Sequence, residues 1–429
     1  MSDLAGPHLL IIPSEEFVPP HAPLAGIFQY HQALALRQAG LGRIGILSIR
    51  LAESPLMILK ALLFRLAGRR VPNRLGTLSI PALLGRLWDK LFFPERSLTW
   101  DTVAGLPVLR ISALYLLPPG PRFDPLAWRR AGRVAMDRYL HDQGRPDLIH
   151  AHNALSAGLL ARDLARRHGI PYLLTEHSSY YHQGLVPRGL YPQVRRAVAG
   201  AARYLVVSPR LGEIMVRHLG PPAAHWLWLP NVIPPDFAAD PPHPPPPTPP
   251  LRFLAVGNLL PVKGHDLLLE AFARAFPDPA LPVTLTVLGE GPQRPLLEAM
   301  IQRLGLDHRV TLPGEVPAEQ VHAAMDRCHV VVLPSRFETF GVVVIEALAR
   351  GRPVLATACG GPDRVITEAD GWLTAPGDVD RLAAALQRAR AEAGRFDPGL
   401  LHLRALERFG PRRFATRLGK MVEELRPDA

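Results

Sequence analysis

The most informative part of the sequence is Pro334–Gly361, PSRFETFGVVVIEALARGRPVLATACGG, which follows the apolar run Cys328–Leu333. The pattern predicts a buried strand, a polar loop, a helix that begins at about Gly341, and a second strand. A strand-to-helix turn with a glycine leaves backbone N–H groups unpaired, and these donors together with the helix dipole favour a phosphate. Glu338 falls in the loop and Glu346 in the otherwise apolar helix. Glu346 alone would suggest a surface glutamate, but the whole string favours an acid that holds hydroxyl groups.

A second candidate phosphate loop lies upstream, in Val256–Phe272, VGNLLPVKGHDLLLEAF. A predicted strand ends at Gly257, and Lys263 follows in the loop that precedes a helix. An ammonium group beside the carboxyl end of a strand suits a diphosphate. The alternative is a solvated loop lysine, which is less expected in a chain whose four lysines are Lys60, Lys90, Lys263 and Lys420.

Histidines follow two predicted strands in the first half of the chain, in Leu148–His152 (LIHAH) and Pro171–His177 (PYLLTEH). A histidine at the carboxyl end of a strand can bond a sugar hydroxyl or transfer a proton. The alternatives are a core role and a zinc set of His150, His152 and His177. The HExxH spacing that would sharpen the zinc interpretation is absent.

Both halves of the chain alternate short apolar runs with amphipathic helical patterns. Buried strands joined by crossover helices form parallel sheets, so we expect an α/β fold of two such domains facing an interdomain cleft. The run Pro241–Pro250, PPHPPPPTPP, predicts an extended, semi-rigid linker between the two domains. The predicted strands are His8–Ile12, Arg43–Ile49, Pro107–Ile111, Asp147–His150, Pro171–Thr175, Tyr204–Val207, Leu251–Val256, Pro282–Leu288, Val310–Leu312, Cys328–Leu333 and Pro353–Ala356.

The composition excludes several classes of protein. The 429 residues are 48% hydrophobic and 20% charged, which is typical of globular domains and not of a disordered chain. Two cysteines exclude a disulfide scaffold and a Cys-rich zinc site. The first residues have no basic segment before their apolar run, and no window offers 18 uninterrupted apolar residues. We therefore expect a cytoplasmic protein without a signal peptide or membrane span.

Residues 51–98 interrupt the alternating pattern with an apolar and basic segment. From Lys60 to Lys90 it carries seven basic residues and one acid, Asp89. This is the profile of a helix pair that lies on an anionic membrane surface. The alternative is a pair that packs on the core and exposes a solvated basic face.

Taken together, these strings resemble the family 4 glycosyltransferases, which have the GT-B fold of two Rossmann-like domains. The resemblance covers nearly the whole chain apart from residues 51–98 and the linker, and Pro334–Gly361 is its most specific part. It implies a retaining transfer of a sugar from a nucleotide diphosphate without an essential metal or other cofactor. The resemblance implies a donor site formed by Gly26, Asn258, Lys263, Glu338, Thr339, Phe340, Gly341 and Glu346.

The roles that the resemblance implies differ along this set. Glu338 contacts the donor sugar, Glu346 holds the ribose hydroxyls, and Lys263 binds the diphosphate. The backbone amides of residues 339–341 also meet the diphosphate, and Gly26 belongs to the first loop. His177 lies by the reacting centre, so His177 and Glu338 are the catalytic candidates. Asn258 is a departure, because the family usually has arginine there.

The resemblance also implies a division of the chain and a set of partners. The acceptor-binding domain would span 1–235, including the insertion 51–98, followed by a linker at 236–250, a nucleotide-sugar domain at 251–405 and closing helices at 406–429 that return to the first domain. The expected partners are a nucleotide sugar, a glycan or lipid-linked acceptor for a bacterial surface polysaccharide or glycolipid, and an anionic surface at the inner face of the cytoplasmic membrane. Another enzyme on the same fold, an epimerase or a phosphorylase, is the first alternative. A non-enzymatic basic binder is the second, although no nucleic-acid motif appears.

Overall fold

The computed structural model describes residues 6–19, 22, 25–67, 78–115 and 124–426. Its contacts divide the chain into two compact units. Unit 1 comprises residues 1–206, 212–229 and 415–429, and unit 2 comprises residues 207–211 and 230–414. Each unit is described by itself.

Within the described residues, unit 1 is built on a sheet of eight strands in the order β3-β4-β2-β1-β5-β6-β7-β8. The strands are β1 (His8–Ile12), β2 (Arg43–Glu53), β3 (Leu98–Val103), β4 (Leu106–Leu114), β5 (Leu148–His152), β6 (Tyr172–Glu176), β7 (Arg203–Val206) and β8 (Trp226–Trp228). Its helices are α1 (Ile27–Gln38), α2 (Pro55–Leu66), α3 (Ile80–Phe92), α4 (Pro125–Gln143), α5 (Leu159–His168), α6 (Tyr191–Ala199) and α7 (Pro209–Leu219), the last of which begins among residues grouped with unit 2. The central strands β1, β5 and β6 are buried along their whole length, as a parallel sheet covered on both faces requires.

One strand departs from the parallel arrangement that the sequence predicts. β3 pairs antiparallel with β4. The two strands are joined by Ala104 and Gly105, both with positive φ (47° and 74°). A two-residue turn of this kind closes a hairpin and leaves no length for a crossover helix, so the pair has to be antiparallel.

Unit 2 is built on a parallel sheet, which in the described part of the chain has the order β11-β10-β9-β12-β13-β14. The strands are β9 (Leu251–Val256), β10 (Val283–Leu288), β11 (Val310–Gly314), β12 (Val330–Leu333), β13 (Val354–Thr357) and β14 (Gly371–Thr374). Its helices are α8 (Pro235–Ala239), α9 (His265–Ala275), α10 (Arg294–Arg303), α11 (Ala318–Asp326), α12 (Val342–Ala349), α13 (Pro362–Val365), α14 (Val379–Glu392) and α15 (Pro398–Phe409). Its core packs side chains of β9, β10 and β12 against α9, α10 and α14, with Phe253, Phe272 and Phe276 in mutual ring contact.

The last helix, α16 (Pro411–Glu423), begins in unit 2 but continues into residues grouped with unit 1. Within unit 1, Glu424 forms an ion pair with Arg203 (3.6 Å), and Gly419 lies against Leu41. The C-terminal residues therefore fold onto the first unit's own strands and loops.

The proline-rich run predicted as a linker is part of unit 2. The buried guanidinium of Arg352 donates to the carbonyl oxygens of His243 (3.0 Å) and Pro244 (3.4 Å), and also to those of Met325 and Asp326. Prolines supply acceptors without donors, so a guanidinium with five N–H groups is a matching partner for them. The run is thereby held on the surface of unit 2.

The insertion predicted over 51–98 is a helix pair, α2 and α3, between β2 and β3. Residues 51–53 continue β2, so the interruption begins at Ser54, whose side chain accepts the N–H of Met57 and caps α2. Residues 68–77 of the predicted insertion lie outside the described residues. Within the described ranges, no helix has the length and apolar character needed to cross a membrane.

Candidate functional site

In unit 2, two loops at the carboxyl ends of β9 and β12 are joined by one arginine. The guanidinium of Arg336 donates to both carboxylate oxygens of Asp266 (2.8 and 2.7 Å) and to the carbonyl of Pro261 (2.6 Å). A Cβ on Gly264, which has φ 68°, would lie 2.2 Å from the carbonyl oxygen of Pro334. Glycine is needed there because the two backbones touch. The loops that carry Lys263 and Glu338 are thus fixed against each other.

The result is a short ion pair between two of the predicted site residues. The Nζ of Lys263 donates to Oε1 of Glu338 at 2.6 Å, and the same oxygen accepts the hydroxyl of Ser335 at 2.9 Å. The lysine side chain is 28% exposed and the glutamate side chain 11%. One of the three ammonium donors is directed at Glu338, so the group can offer others to an anion without leaving its place.

Next to this pair, residues 339–341 form the turn into α12. Gly341 caps α12 in a left-handed conformation (φ 83°), and among the residues that the structure describes no side chain caps the first N–H groups of the helix. Phe340 is buried and contacts Phe409 edge-on, which anchors the turn in the core. A Cβ on Gly361 would lie 2.2 Å from the Cα of Phe340. The turn therefore has the unpaired backbone donors that the sequence predicts for an anion site.

Glu346 and Asn258 complete the predicted set in unit 2. Glu346 lies one turn into α12, half-buried, and burial raises the pKa of its carboxyl to about 7. No side chain in the described part of the chain forms an ion pair or hydrogen bond with it. Asn258 is exposed directly after β9. Beneath it, burial lowers the pKa of His265 to about 4, so Lys263 is the cation of this loop at neutral pH.

In unit 1, a buried carboxylate joins the ends of β5 and β6. Glu176 Oε1 accepts the backbone N–H groups of His177 (3.0 Å) and Ser178 (2.8 Å), and Oε2 accepts that of Ala154 (3.0 Å). Asn153, with φ 67°, accepts the same His177 N–H at 2.9 Å. Burial raises the pKa of Glu176 to about 7, against the opposing effect of these N–H donors. The position of His177 is set by this network.

The three histidines predicted at these strand ends do lie together. His152 Nδ1 is 3.0 Å from His177 Nε2, and His150 Nε2 is 2.7 Å from the hydroxyl of Thr175. Burial lowers the pKa of His150 to about 3 and that of His152 well below its ordinary value, so both rings are neutral at physiological pH. These contacts use one nitrogen of each ring. No group of metal-ligating residues forms among the residues described here.

Gly26 is the predicted site residue at the end of the first loop. It caps α1 with φ 67°, and a Cβ there would lie 3.0 Å from the carbonyl oxygen of Glu16. The glycine is needed for this close approach after β1. Residues 20, 21, 23 and 24 of the same loop are outside the described part.

The structure thus brings Lys263, Glu338 and the 339–341 turn together in unit 2, with Glu346 on the following helix. His177 and Gly26 lie at the carboxyl edge of the sheet of unit 1. Sequence reasoning missed three contributors to these sites: Glu176, Ser335, and the ion pair between Arg336 and Asp266, here called the staple, that joins the two loops of unit 2. Glu176 had a signal, since it is an acid at the end of an apolar strand and directly before His177. Ser335 and the staple had none, because they depend on which loops meet.

Two known families match adjoining parts of the chain. Residues 90–237 match the family described as Glycosyltransferase Family 4, and residues 236–393 match Glycosyl transferases group 1. The two matches together include His177, Lys263, Glu338 and Glu346.

Relatives and solved structures agree with these matches. The chain is 31% identical to 2-deoxystreptamine glucosyltransferase of Streptomyces kanamyceticus, over 60% of this chain and 71% of that protein. It is 32% identical to glycogen synthase of Mycobacterium tuberculosis, over 62% of this chain and 67% of that protein. The crystal structure of Anabaena HepE in complex with UDP superposes with a TM-score of 0.66 at 16% identity, covering 97% of this chain and 100% of that one.

Proposed function

The chain belongs to the family 4 glycosyltransferases of GT-B fold, and from this premise we propose that it is a retaining, metal-independent hexosyltransferase that uses a nucleotide-diphosphate sugar. The observation that carries the proposal is the Lys263–Glu338 pair beside the open N-terminus of α12. The cation and the free backbone amides suit the diphosphate, whose negative charge grows as it leaves. The carboxylate suits the hydroxyl groups of the sugar. The UDP in Anabaena HepE supports a uridine nucleotide as the first class to test.

In the proposed reaction, the negative charge that develops on the nucleoside diphosphate is met by Lys263 and the first amides of α12. These groups are already in place, so little reorganisation accompanies bond cleavage. Glu338, held by Lys263 and Ser335, accepts hydrogen bonds from the sugar hydroxyls, and Glu346 accepts those from the ribose. Asn258 contributes no charge, so the diphosphate depends on the lysine and the helix.

His177 is proposed as the group beside the reacting carbon. His152 holds its Nε2 at 3.0 Å, and Glu176 holds its backbone, so the imidazole is fixed at two points. An imidazole can both donate and accept hydrogen bonds, which suits the hydroxyl groups of a sugar. The departing phosphate helps to deprotonate the acceptor, and the sugar is transferred to the face that the phosphate leaves.

The acceptor is proposed to be a glycan or lipid-linked sugar in the synthesis of a bacterial surface polysaccharide or glycolipid. The enzyme then works in the cytoplasm, at the inner face of the cytoplasmic membrane. The helix pair α2–α3, inserted into the first unit beside the acceptor edge, supports this assignment.

The test is a thermal-shift and hydrolysis screen of purified protein with UDP-, GDP- and ADP-sugars, each with and without EDTA. We expect one base to raise the melting temperature, slow donor hydrolysis with release of the nucleoside diphosphate, and no loss of either with EDTA. Glu346→Ala should abolish the shift, whereas Glu315→Ala, at an exposed position, should not. If no nucleotide sugar binds and Glu346→Ala changes nothing, the proposal is wrong. Loss of activity with EDTA would overturn metal independence alone.

A further inference from the structure

The helix pair α2–α3 exposes a surface of large apolar side chains, here called the apolar stripe. Each member is between 48% and 73% exposed. Its members are Leu56, Leu59, Leu63 and Leu66 on α2, and Leu84, Trp88 and Phe92 on α3. On each helix they recur at intervals of three or four residues, which places them on one face. Single exposed apolar residues are ordinary, but seven on two adjacent short helices mark an interaction surface.

The stripe is not a core face that has failed to pack. The opposite face of the pair is buried in its own cluster, which contains Ile58, Ala61 and Leu62 of α2, Leu83 of α3 and Leu114 of β4. Ser54 and Ser79 cap the two helices, and Arg86 and Lys90 of α3 both pair with Glu53 at the end of β2. The pair is therefore a folded element with two apolar faces, one satisfied internally and one open.

Charge distinguishes the occupants that could cover such a face. Residues 53–67 and 78–97 carry five cations and three acids, which leaves an excess of positive charge. Two of the cations, Arg86 and Lys90, are paired with Glu53. One of the acids, Asp89, is paired with Arg96, whereas Lys60 lies at the edge of the stripe with its Nζ 5.6 Å from the ring of Phe64. A second copy of this chain would bring two positive segments together. A surface with apolar depth and negative charge matches both properties, and that combination describes an anionic lipid bilayer.

The position of the pair within unit 1 adds a functional reason. α2 leaves the carboxyl end of β2, and the pair packs on Leu114 at the carboxyl end of β4. His150 and His152 are on β5, at the same edge of the sheet and two strands from β2. At the usual strand spacing, β2 and β5 are about 10 Å apart. An acceptor whose lipid remains in the bilayer could thus present its sugar at this edge.

We propose that the apolar stripe of α2–α3 seats the enzyme on an anionic phospholipid bilayer, with both helices lying in the interface rather than spanning it. Trp88, whose ring is tilted by 44° against that of Phe92 with centroids 4.5 Å apart, lies at the level of the lipid headgroups, and Lys60 contacts their phosphates. Only the presentation of a lipid-linked acceptor rests on the proposed function. Attachment itself follows from the surface.

The experiment is co-sedimentation of the full chain with vesicles of phosphatidylcholine alone or with phosphatidylglycerol, at low and high salt. The test variant is Leu59→Ser/Leu63→Ser/Trp88→Ser. The matched control is Leu296→Ser/Leu400→Ser/Leu403→Ser, three equally exposed leucines in unit 2. We expect binding only to the anionic vesicles, weaker at high salt, with partitioning at least ~10-fold lower for the test variant and unchanged for the control.

Failure to bind anionic vesicles, or equal binding of the test variant, would overturn the proposal. So would light scattering that shows a dimer of the wild type and a monomer of the test variant, because the stripe would then be covered by a second copy. Nucleotide-sugar thermal shifts, measured on the same samples, should be the same for all three proteins. Vesicle binding without any donor binding would leave the attachment standing and remove the proposed function.

Discussion

The two units place different chemistry at the same edge of the same kind of sheet. In unit 2 the edge carries a charged pair, Lys263 and Glu338, within reach of solvent and beside open helix amides. In unit 1 the edge carries His150 and His152, both buried and neutral, and Glu176, whose carboxylate is occupied by three backbone N–H groups. In both units these residues follow buried strands and precede helices.

The difference shows what each edge can bind. A partly exposed ammonium beside free amides suits an anion, because among the described contacts only one of its three N–H donors is used, in the pair with Glu338. Neutral imidazoles attract no anion but can exchange hydrogen bonds with hydroxyl groups in either direction. The carboxylate of Glu338 in unit 2 bonds side chains, whereas its counterpart Glu176 in unit 1 accepts backbone N–H groups. The edge of unit 2 therefore suits the nucleotide end of a donor, and the edge of unit 1 suits sugar hydroxyls.

The largest effect is expected from Lys263→Ala. Loss of the charge that meets the leaving diphosphate should lower kcat/KM by about 10²–10³-fold, as removal of one preorganised donor does elsewhere. Steady-state kinetics with the donor found in the screen measures this. Lys420→Ala, which removes an exposed lysine of α16, is the control. If Lys263→Ala kept kcat/KM within tenfold of the wild type, the charge of Lys263 would not be the property that distinguishes unit 2 from unit 1.

Next is His177→Ala, which tests the edge of unit 1. The backbone N–H that Glu176 and Asn153 hold is kept, so the loop should stay in place while the imidazole is lost. We expect turnover to fall about 10²-fold, as it does when one positioned hydrogen-bonding group is removed from beside a reacting centre, with little change in donor affinity. Calorimetry and kinetics on the same sample separate the two. His141→Ala, on the exposed face of α4, controls for removal of a ring.

A smaller effect, on stability, is expected from Glu176→Gln. A glutamine oxygen can replace one carboxylate oxygen, but its NH₂ would face a backbone N–H, and an unsatisfied buried donor costs about 1–3 kcal/mol. Urea unfolding measures this, with Glu15→Gln, an exposed position, as the control. In the folded protein the pKa of Glu176 is about 7, above its ordinary value of 4.5, so this group's contribution to stability is present below pH 4.5 and is lost as pH rises through 7. Glu176→Gln should lack this dependence of the unfolding free energy on pH. An unchanged dependence would show that another group titrates in this range.

The smallest effect is a pH dependence of nucleotide binding. Burial raises the pKa of Glu346 to about 7 in the free protein, and the ionised carboxylate is the form that accepts two ribose hydroxyls. Affinity for UDP or GDP should therefore rise between pH 6 and pH 8, by up to about tenfold for one titrating group. Glu346→Gln should bind more weakly at pH 8 and show a flat profile. A profile that stays steep in the variant would place the titrating group elsewhere.

Much of this arrangement could be predicted because it is local. All eleven predicted strands are present, two with the predicted bounds and nine with shifted ends, since each is a mainly apolar run between turn residues. Three strands were not predicted: β3, β8 and β14. β3 alternates polar and apolar residues at the edge, β8 is only three residues long, and β14 contains a glycine and one exposed leucine. Edge strands and short strands owe their pairing to the neighbour and not to their own sequence.

The site divides in the same way. The Lys263 loop and the Glu338 turn were predicted because a strand, a glycine and a helix start lie within a few residues of one another. Their contact was not, because it depends on Arg336 reaching Asp266 across 70 positions of sequence. The helix pair was predicted, but not its exposed face. Its cations were expected on the outside, whereas Arg86 and Lys90 turn towards Glu53 and leave leucines outermost.

The hydrogen bonds from Arg352 to the carbonyls of His243 and Pro244 affect where chimaeras of related enzymes can be joined. If the half after Pro250 were replaced by that of another chain, Arg352 would be removed and the retained proline-rich run would lose the guanidinium that holds it. If this chain's own second half were moved without the run, Arg352 would keep the carbonyls of Met325 and Asp326 but lose those of His243 and Pro244. A junction placed before Pro230 moves the run and the arginine together. The run Pro241–Pro250, which the sequence predicts as a linker, is therefore an unsuitable junction for a chimaeric enzyme.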